Sequence, residues 1–327
     1  MYQPDTLKDY LSPSAKDDFD DIVLARKLGA SANIVSIGNM LKDIAAHAAE
    51  NGLSAGEMID RVLAIAGYFD KLRGESTVAV TNAIKLMTGG LSALREAPLA
   101  EACKRVTDSC NRYGEKAREW MDNIVTYGYN LIKGCKGILV FDYSSSVDAI
   151  AKQAALNGQI MDIYIPESRV LDGGKPFAVT AVEMGHRVHF FPDVAIYHFL
   201  KKSDMAFIGV ETFYPDGSAA NTVGTDMLAI LCKQAGVPFY IPTTLIKVDM
   251  RGLQGIVKRD LAQDLSGLLA PHWDENLRAH TDFTCPDLSI IGPEYITGYI
   301  TEVGIVPGTA MFGVAREYAA KLEKGEL

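Results

Sequence analysis

Apolar positions recur along this chain with two different periods, and the change falls near Gly134. Upstream the spacing is helical. Between Ala32 and Ala49, Ile34, Ile37, Met40, Leu41, Ile44 and Ala45 return every three or four residues. Leu53 to Phe69 repeats the pattern, and Ser54 with Glu57 three residues on has the spacing of a capping box. Val78 to Met87 predicts a third helix ended by Gly89-Gly90, and Pro98 to about Tyr129 a long, charged one. Nothing in this half has the alternation of a strand.

Downstream, short β-rich runs take over: GILVF (137–141), IMDIYI (160–165), RVHFF (187–191), MAFIGV (205–210), PFYIP (238–242) and YITGYIT (295–301). Between them, Val147 to Leu156, Lys175 to Met184 and Thr225 to Ala235 have helix length and pattern. Strand–helix alternation of this kind predicts an α/β domain with a mostly parallel sheet covered by helices on both faces. The chain thus divides into a helical domain (1–130) and an α/β domain (131–327). The stretch from about 250 to 290 is irregular, as an insertion or long loop would be.

Open parallel sheets bind ligands at the carboxyl ends of their strands, so candidate chemistry is sought there. GILVF is followed by Asp142-Tyr143-Ser144-Ser145-Ser146 and a helix. Hydroxyls and orphan N–H groups at such a turn form an anion site, or serine simply caps the helix. IMDIYI leads into PESRVLDGG, where Arg169 has the fork for a phosphate or carboxylate and Glu167 could orient it; a surface ion pair is the other reading. Glu211 leaves the MAFIGV strand, where burial would raise its pKa and suit it to proton transfer, unless it is a satisfied structural carboxylate. DGSAANTVGTDMLA sets Asn221, Gly224 and Thr225 in a turn before a helix, and PFYIP is followed by Thr243, Thr244 and Lys247. Recurrence after successive strands is a stronger signal than any one of these. No G-x-G-x-x-G follows a strand and no Walker A lysine motif occurs, which disfavours a dinucleotide site and a P-loop. His186, His189 and His198 lack metal-ligand spacing, so no metal or cofactor is expected.

Composition narrows the partners. With 327 residues, 48% hydrophobic and 22% charged, the chain is an ordinary globular one of about two domains. A net charge of −9 repels phosphate backbones and anionic lipid, so an anionic ligand needs a local cationic pocket. Five cysteines without C-x-x-C spacing argue against a disulfide framework or structural zinc and suit a reducing cytoplasm. The first residues are polar and acidic, and no uncharged run approaches the roughly 18 residues that span a bilayer. A soluble, cytoplasmic protein with no nucleic-acid or membrane partner is expected.

Read in order, LGASANI (28–34), RGESTVAVTNAI (73–84), FDYSSS (141–146), PESR (166–169), GVETFYPDGSAANTVGTDMLA (209–229) and GPEYITGYITEVGIVP (292–307) resemble one superfamily. It holds the alpha, beta and delta subunits of translation initiation factor 2B, methylthioribose-1-phosphate isomerase and ribose-1,5-bisphosphate isomerase. The resemblance implies an N-terminal helical domain on a Rossmann-like domain, a homodimer or higher homo-oligomer, and a phosphorylated pentose as ligand. The isomerases turn an aldose 1-phosphate into a ketose phosphate, using a cysteine after the first strand and an aspartate in a G-A-D element. Asp142 and Glu211 stand at those positions here. Leu28 stands at the arginine of R-G-A and Thr222 at the lysine of N-K-I-G-T, while Arg73, Arg169 and Lys247 match cationic positions. With two cations missing, the implied ligand carries one phosphate or a different headgroup.

Carried over, the resemblance assigns ligand binding to Gly29, Ala30, Ser31, Arg73, Tyr143, Ser144, Ser145, Glu167, Arg169, Asn221, Thr222, Gly224, Thr225, Lys247 and Asp287. It leaves three functions open. The first is a divergent sugar-phosphate aldose–ketose isomerase with Asp142 and Glu211 as acid and base. The second is a non-catalytic sugar-phosphate or nucleotide-binding regulator like the initiation factor 2B alpha subunit. The third is a scaffold with a vestigial pocket.

Overall fold

The capping box at Ser54 is formed: Ser54 Oγ accepts the Glu57 N–H at 3.2 Å, and Glu57 Oε2 accepts the Ser54 N–H at 2.8 Å. It opens one of the helices that make up the N-terminal half. In the computed structural model, which describes residues 4–24, 26, 29–74, 77–258 and 261–325, these are α1 (Pro4–Lys8), α2 (Pro13–Val23), α3 (Ala30–Ala46), α4 (Ala55–Arg73), α5 (Val78–Thr88) and α6 (Leu99–Ile132). Leu28, Glu75 and Ser76, from the two N-terminal motifs, lie outside the described residues.

The polar N-terminal stretch, for which the sequence reading predicts no element, is helical. Ser12 caps α2, Pro13 occupies its first turn, and Ala15, Phe19 and Ile22 form its buried face. The helix predicted from Ala32 starts two residues earlier, because Gly29 adopts φ +88°, a conformation that favours glycine, and sets the chain into helix at Ala30.

The chain forms two units. The first comprises Met1–Glu119, Ile246–Val248 and Glu317–Leu327; the second comprises Trp120–Leu245 and Asp249–Arg316. In the first, Ile37, Met40, Leu41, Met58, Ile59, Val62, Ile65 and Val80 are buried on the helix faces their spacing predicts. The Asn82 amide, itself buried, donates to Ile246 O at 2.9 Å and Val248 O at 3.3 Å, so a tripeptide distant in sequence is held in this unit by one side chain bonded to its backbone carbonyls.

The second unit carries β1 (Gly137–Phe141), α7 (Ser145–Leu156), β2 (Asp162–Pro166), α8 (Gly174–Glu183), β3 (Arg187–Phe191), α9 (Ile196–Leu200), β4 (Met205–Ile208), β5 (Thr212–Phe213), β6 (Ala219–Thr222), α10 (Thr225–Ala235) and β7 (Phe239–Pro242). It continues with β8 (Ala262–Asp264), α11 (Ser266–Leu269), α12 (Glu275–Ala279), β9 (Thr284–Pro286), β10 (Leu288–Ile291), β11 (Gly298–Thr301), β12 (Gly304–Val306) and the start of α13 (Met311–Lys324). Seven strands form one sheet in the order β12-β11-β7-β4-β1-β2-β3. All neighbours are parallel except the β11–β12 hairpin. Every β1 residue is buried, as in a strand covered on both faces. Ile138 and Val140 pack with Val147, Ile150 and Ala154 of α7, Phe177 of α8, and Ile124 and Ile132 of α6.

The chain lays β1, β2 and β3 outward in one direction and then returns to place β4 on the other side of β1. Strand order reverses between β1 and β4, and that reversal opens a crevice at their carboxyl ends. Asp142 directly follows β1, and Glu211 follows β4 by three residues.

The structure corrects two expectations. The segment read as a turn before α10 is strand β6 up to Thr222, so Asn221 lies in a strand; only Gly224 keeps the turn, at φ +97°. β6 sits between β5 and β10 in a separate antiparallel sheet, which short runs such as TF and AANT did not reveal. The irregular 250–290 stretch contains the β8–β9 pair, and β10 begins just before its end. Among the described residues no helix is long and apolar enough to cross a membrane.

Glu302, in the β11–β12 turn, is buried, and the Leu245 N–H donates to both its carboxylate oxygens at 3.1 and 3.0 Å. Burial pushes its carboxyl up to about 7, above its ordinary 4.5. Between those values the folded state holds a proton that the unfolded chain has lost. This stabilisation is complete below pH about 4.5, falls as pH rises through about 7, and totals about 3 kcal/mol. Glu302→Gln keeps an acceptor for Leu245 and removes the charge. Its melting temperature relative to the unmodified protein is expected to rise from pH 5 to pH 8; parallel curves across that range would show that Glu302 does not bury its charge.

Candidate active site

Asp142 has a backbone that few non-glycine residues adopt, with φ +61°. Aspartate tolerates this left-handed conformation because its short polar side chain can bond locally. The turn carries the carboxyl group back beneath the loop after β2. There Oδ2 accepts the Thr222 hydroxyl and Oδ1 accepts Ser168 Oγ at 3.5 Å. Burial raises the Asp142 carboxyl above the ordinary range, and the Glu211 charge adds to the rise. The Thr222 hydroxyl, the Tyr143 N–H and Ser168 work in the opposite direction.

The loop after β2 is shaped to fit. Ser168 is buried with φ +48°, and Asp172 has φ +52°. A left-handed serine costs about 1 kcal/mol or more, and here Asp193 offsets it. Its carboxylate oxygens accept the Ser168 N–H at 2.9 Å and the Arg169 N–H at 3.1 Å. Gly173 comes so close that a Cβ there would lie 1.6 Å from Asp142 Oδ1.

Glu211 departs from expectation. Its side chain is 46% exposed and paired with Lys258, whose Nζ is 3.4 Å from Oε2; burial does not reach it. Its N–H donates to Ala220 O at 3.0 Å, which ties it to β6. Asn221, the next residue of β6, is buried, and its Nδ2 has no hydrogen-bond partner among the described residues.

The remaining candidates divide into groups available to a ligand and groups engaged in the fold. Ser144 caps α7, accepting the Val147 N–H at 3.5 Å, while Ser145 and Tyr143 are exposed at the helix start. Arg169 stays open, with Glu167 3.7 Å away. The Thr225 hydroxyl is fully buried and donates to Thr222 O at 2.8 Å. Gly224 brings the backbone to the Phe141 ring, which a Cβ would meet at 3.2 Å. Asp287 accepts the Leu261 N–H at 2.7 Å. Gly29, Ala30, Ser31, Arg73 and Lys247 belong to the first unit, where Gly29 to Ser31 open α3 and the Arg73 guanidinium donates to Ile22 O. No His, Cys, Asp and Glu cluster able to hold a metal ion occurs among the described residues.

Sequence reasoning missed Ser168, Gly173, Asp193 and Lys258. Asp193 was within reach of the strand-end rule, since it lies two residues past β3. Lys258 gave no signal, because the irregular stretch hides where it returns to the sheet.

Residues 29–308 match the model of the Initiation factor 2 subunit family. The chain is 23% identical over 249 residues to ribose 1,5-bisphosphate isomerase of Methanocaldococcus jannaschii, covering 76% of this chain and 78% of the relative. Among solved structures it resembles 5-methylthioribose 1-phosphate isomerase from Pyrococcus horikoshii OT3, with TM-score 0.78 at 18% identity over 94% of this chain and 88% of the other. It also resembles translation initiation factor eIF-2B from the same organism, with TM-score 0.71 at 18% identity over 91% of this chain and 98% of the other. At such identities these structures establish the shared fold.

Two variants probe the site without any substrate. Thr222→Val removes the hydroxyl that favours the charged form of Asp142, so the Asp142 titration midpoint, read by carboxyl carbon NMR, is expected to move further up. An unchanged midpoint would mean the bond does not act on Asp142. Gly173→Ala must displace the Asp142 carboxyl or the loop and is expected to cost about 1–3 kcal/mol, measured by chemical denaturation; a neutral effect would contradict the close approach.

Proposed function

The chain belongs to the Initiation factor 2 subunit family, and from that membership we propose that it is a sugar-phosphate isomerase converting an aldose 1-phosphate into the ketose phosphate. Asp142 acts as the acid and Glu211 as the base. The observation that carries the reading is the pair of unlike carboxyl groups at the strand-order reversal, one half-buried with a raised pKa and one open to the crevice. No cofactor is invoked, because each proton has a carrier within the chain.

A 1-phosphate locks the sugar ring, so the ring must open before the carbonyl can move. Asp142 gives its proton to the ring oxygen as the bond from C1 to that oxygen breaks, and becomes a carboxylate. Glu211 takes the proton from C2, and the C–H electron pair forms the C1=C2 bond of an enol. The enol hydroxyl on C2 then returns a proton to Asp142, while C1 takes the proton held by Glu211. Both carboxyl groups end as they began, and the product is the ketose phosphate. Ser144, Ser145, Asn221, Glu167, Arg169 and Asp287 are the proposed ligands of phosphate and hydroxyls within the second unit.

One observation favours a second reading. The Lys258 ion pair occupies the base, as suits a pocket that senses a sugar phosphate or nucleotide without turning it over. Phosphorus NMR of phosphorylated pentoses with the protein separates the two. Turnover is expected, with Asp142→Asn and Glu211→Gln each lowering kcat at least about 100-fold while KM stays within about tenfold. A sugar phosphate that binds and stays unchanged at high protein concentration would establish the sensor.

A further inference from the structure

Lys258 approaches the proposed base from a stretch of chain to which no motif assigns a role. Its side chain is 16% exposed, and Nζ lies 3.4 Å from the Glu211 carboxylate. The stem is fixed where the chain enters: the Lys258 N–H donates to Tyr214 Oη at 2.7 Å, and Tyr214 is buried. An ammonium has three N–H donors. The contact to Glu211 engages one of them, at a length beyond the roughly 2.7–2.9 Å of a strong charge-assisted bond. A cation shielded from water in this way gains from any further oxygen placed beside it.

The Asn221 amide is a second buried donor without a partner. β5 and β6 pair Thr212 with Ala220 and Phe213 with Ala219, and the Glu211 N–H continues the ladder to Ala220 O. Lys258 thus touches the carboxylate proposed as the base, and the orphan Asn221 amide follows directly on the residue whose carbonyl accepts the Glu211 N–H.

We infer that Lys258 is a catalytic electrophile of the isomerisation, donating together with Asn221 to the sugar C2 oxygen as it turns from hydroxyl to carbonyl. This rests on the isomerase reading. In the closing step the proton on that oxygen passes to Asp142 and the O–H pair becomes the C=O π bond. The C1=C2 pair then takes the proton from Glu211 at C1. No electrons enter or leave the substrate. Between the two transfers the C2 oxygen carries enolate charge, and a positioned donor in a site shielded from water stabilises that charge. Loss of one such donor typically lowers kcat by about 10²–10³. A mere counter-ion for Glu211 would instead act on the first proton abstraction.

The test uses the full chain, an aldose 1-phosphate and D2O, with Lys258→Met and Lys258→Arg. Lys258→Met is expected to lower kcat about 10²–10³-fold with KM within about threefold. Because its enol collapses slowly and reverts, the recovered aldose should carry more deuterium at C2 per product formed than with the unmodified protein. Lys258→Arg is expected to keep kcat within about tenfold. A Lys258→Met kcat within threefold overturns the inference, as does a fall in kcat with an unchanged ratio of exchange to conversion. If the unmodified protein converts no aldose phosphate, the isomerase reading and this inference fall together. If it converts one and Lys258→Met behaves like it, the inference alone falls.

Discussion

The crevice is organised around one cost: keeping the Asp142 carboxyl group away from water. Burial of that group favours its protonated form, and three donors, Thr222, the Tyr143 N–H and Ser168, work in the opposite direction. Each donor makes a demand of its own. Ser168 must take a left-handed backbone, which Asp193 stabilises from the end of β3. Thr222 must end a strand, which requires β5 and β10 on either side of β6. The loop after β2 must pass over the carboxyl without a side chain, which leaves only glycine at position 173.

Two departures from the isomerase pattern are in physical contact. By the resemblance, Asp142 takes the position of the isomerases' cysteine and Thr222 that of a lysine, and here the Thr222 hydroxyl donates to the Asp142 carboxylate. A lysine at 222 beside an aspartate at 142 would form an ion pair and pull the carboxyl toward its charged form. Threonine supplies a hydrogen bond without the charge, so the aspartate keeps a raised pKa. The cation absent from β6 has a counterpart in Lys258, which reaches Glu211 from elsewhere in the chain. A net charge of −9 does not oppose a small phosphorylated ligand, because the few charges that matter are local.

Much of this was legible in the sequence because parallel strands announce themselves. GILVF and its successors are continuous apolar runs, and the residues that follow them lie at the crevice by topology alone. That rule drew attention to Asp142, Glu167 and Arg169, which follow β1 and β2. It went wrong where a short element depends on tertiary pairing. AANT has no strand signature of its own and extends because β5 and β10 hydrogen-bond to it. The burial expected of Glu211 failed for a related reason. A carboxylate leaving a buried strand stays buried only if something covers it, and Glu211 turns outward to Lys258. Gly173 and Ser168 were invisible because a close approach between loops leaves no periodic trace.

The Asn82 amide that holds Ile246 to Val248 has a consequence for how the chain is made. A protein emerges from the ribosome in sequence order, and domains generally fold as units, the N-terminal one first. Here the unit that begins at the N-terminus is incomplete until residue 248 has emerged, and its last segment begins only at Glu317. During synthesis Asn82 must wait, with its partner carbonyls unmade, while every strand from β1 to β7 is produced. Removing residues beyond 130 would therefore not yield a finished helical unit. The unit is defined by contacts in space, and translation completes it only after Glu317 has been made.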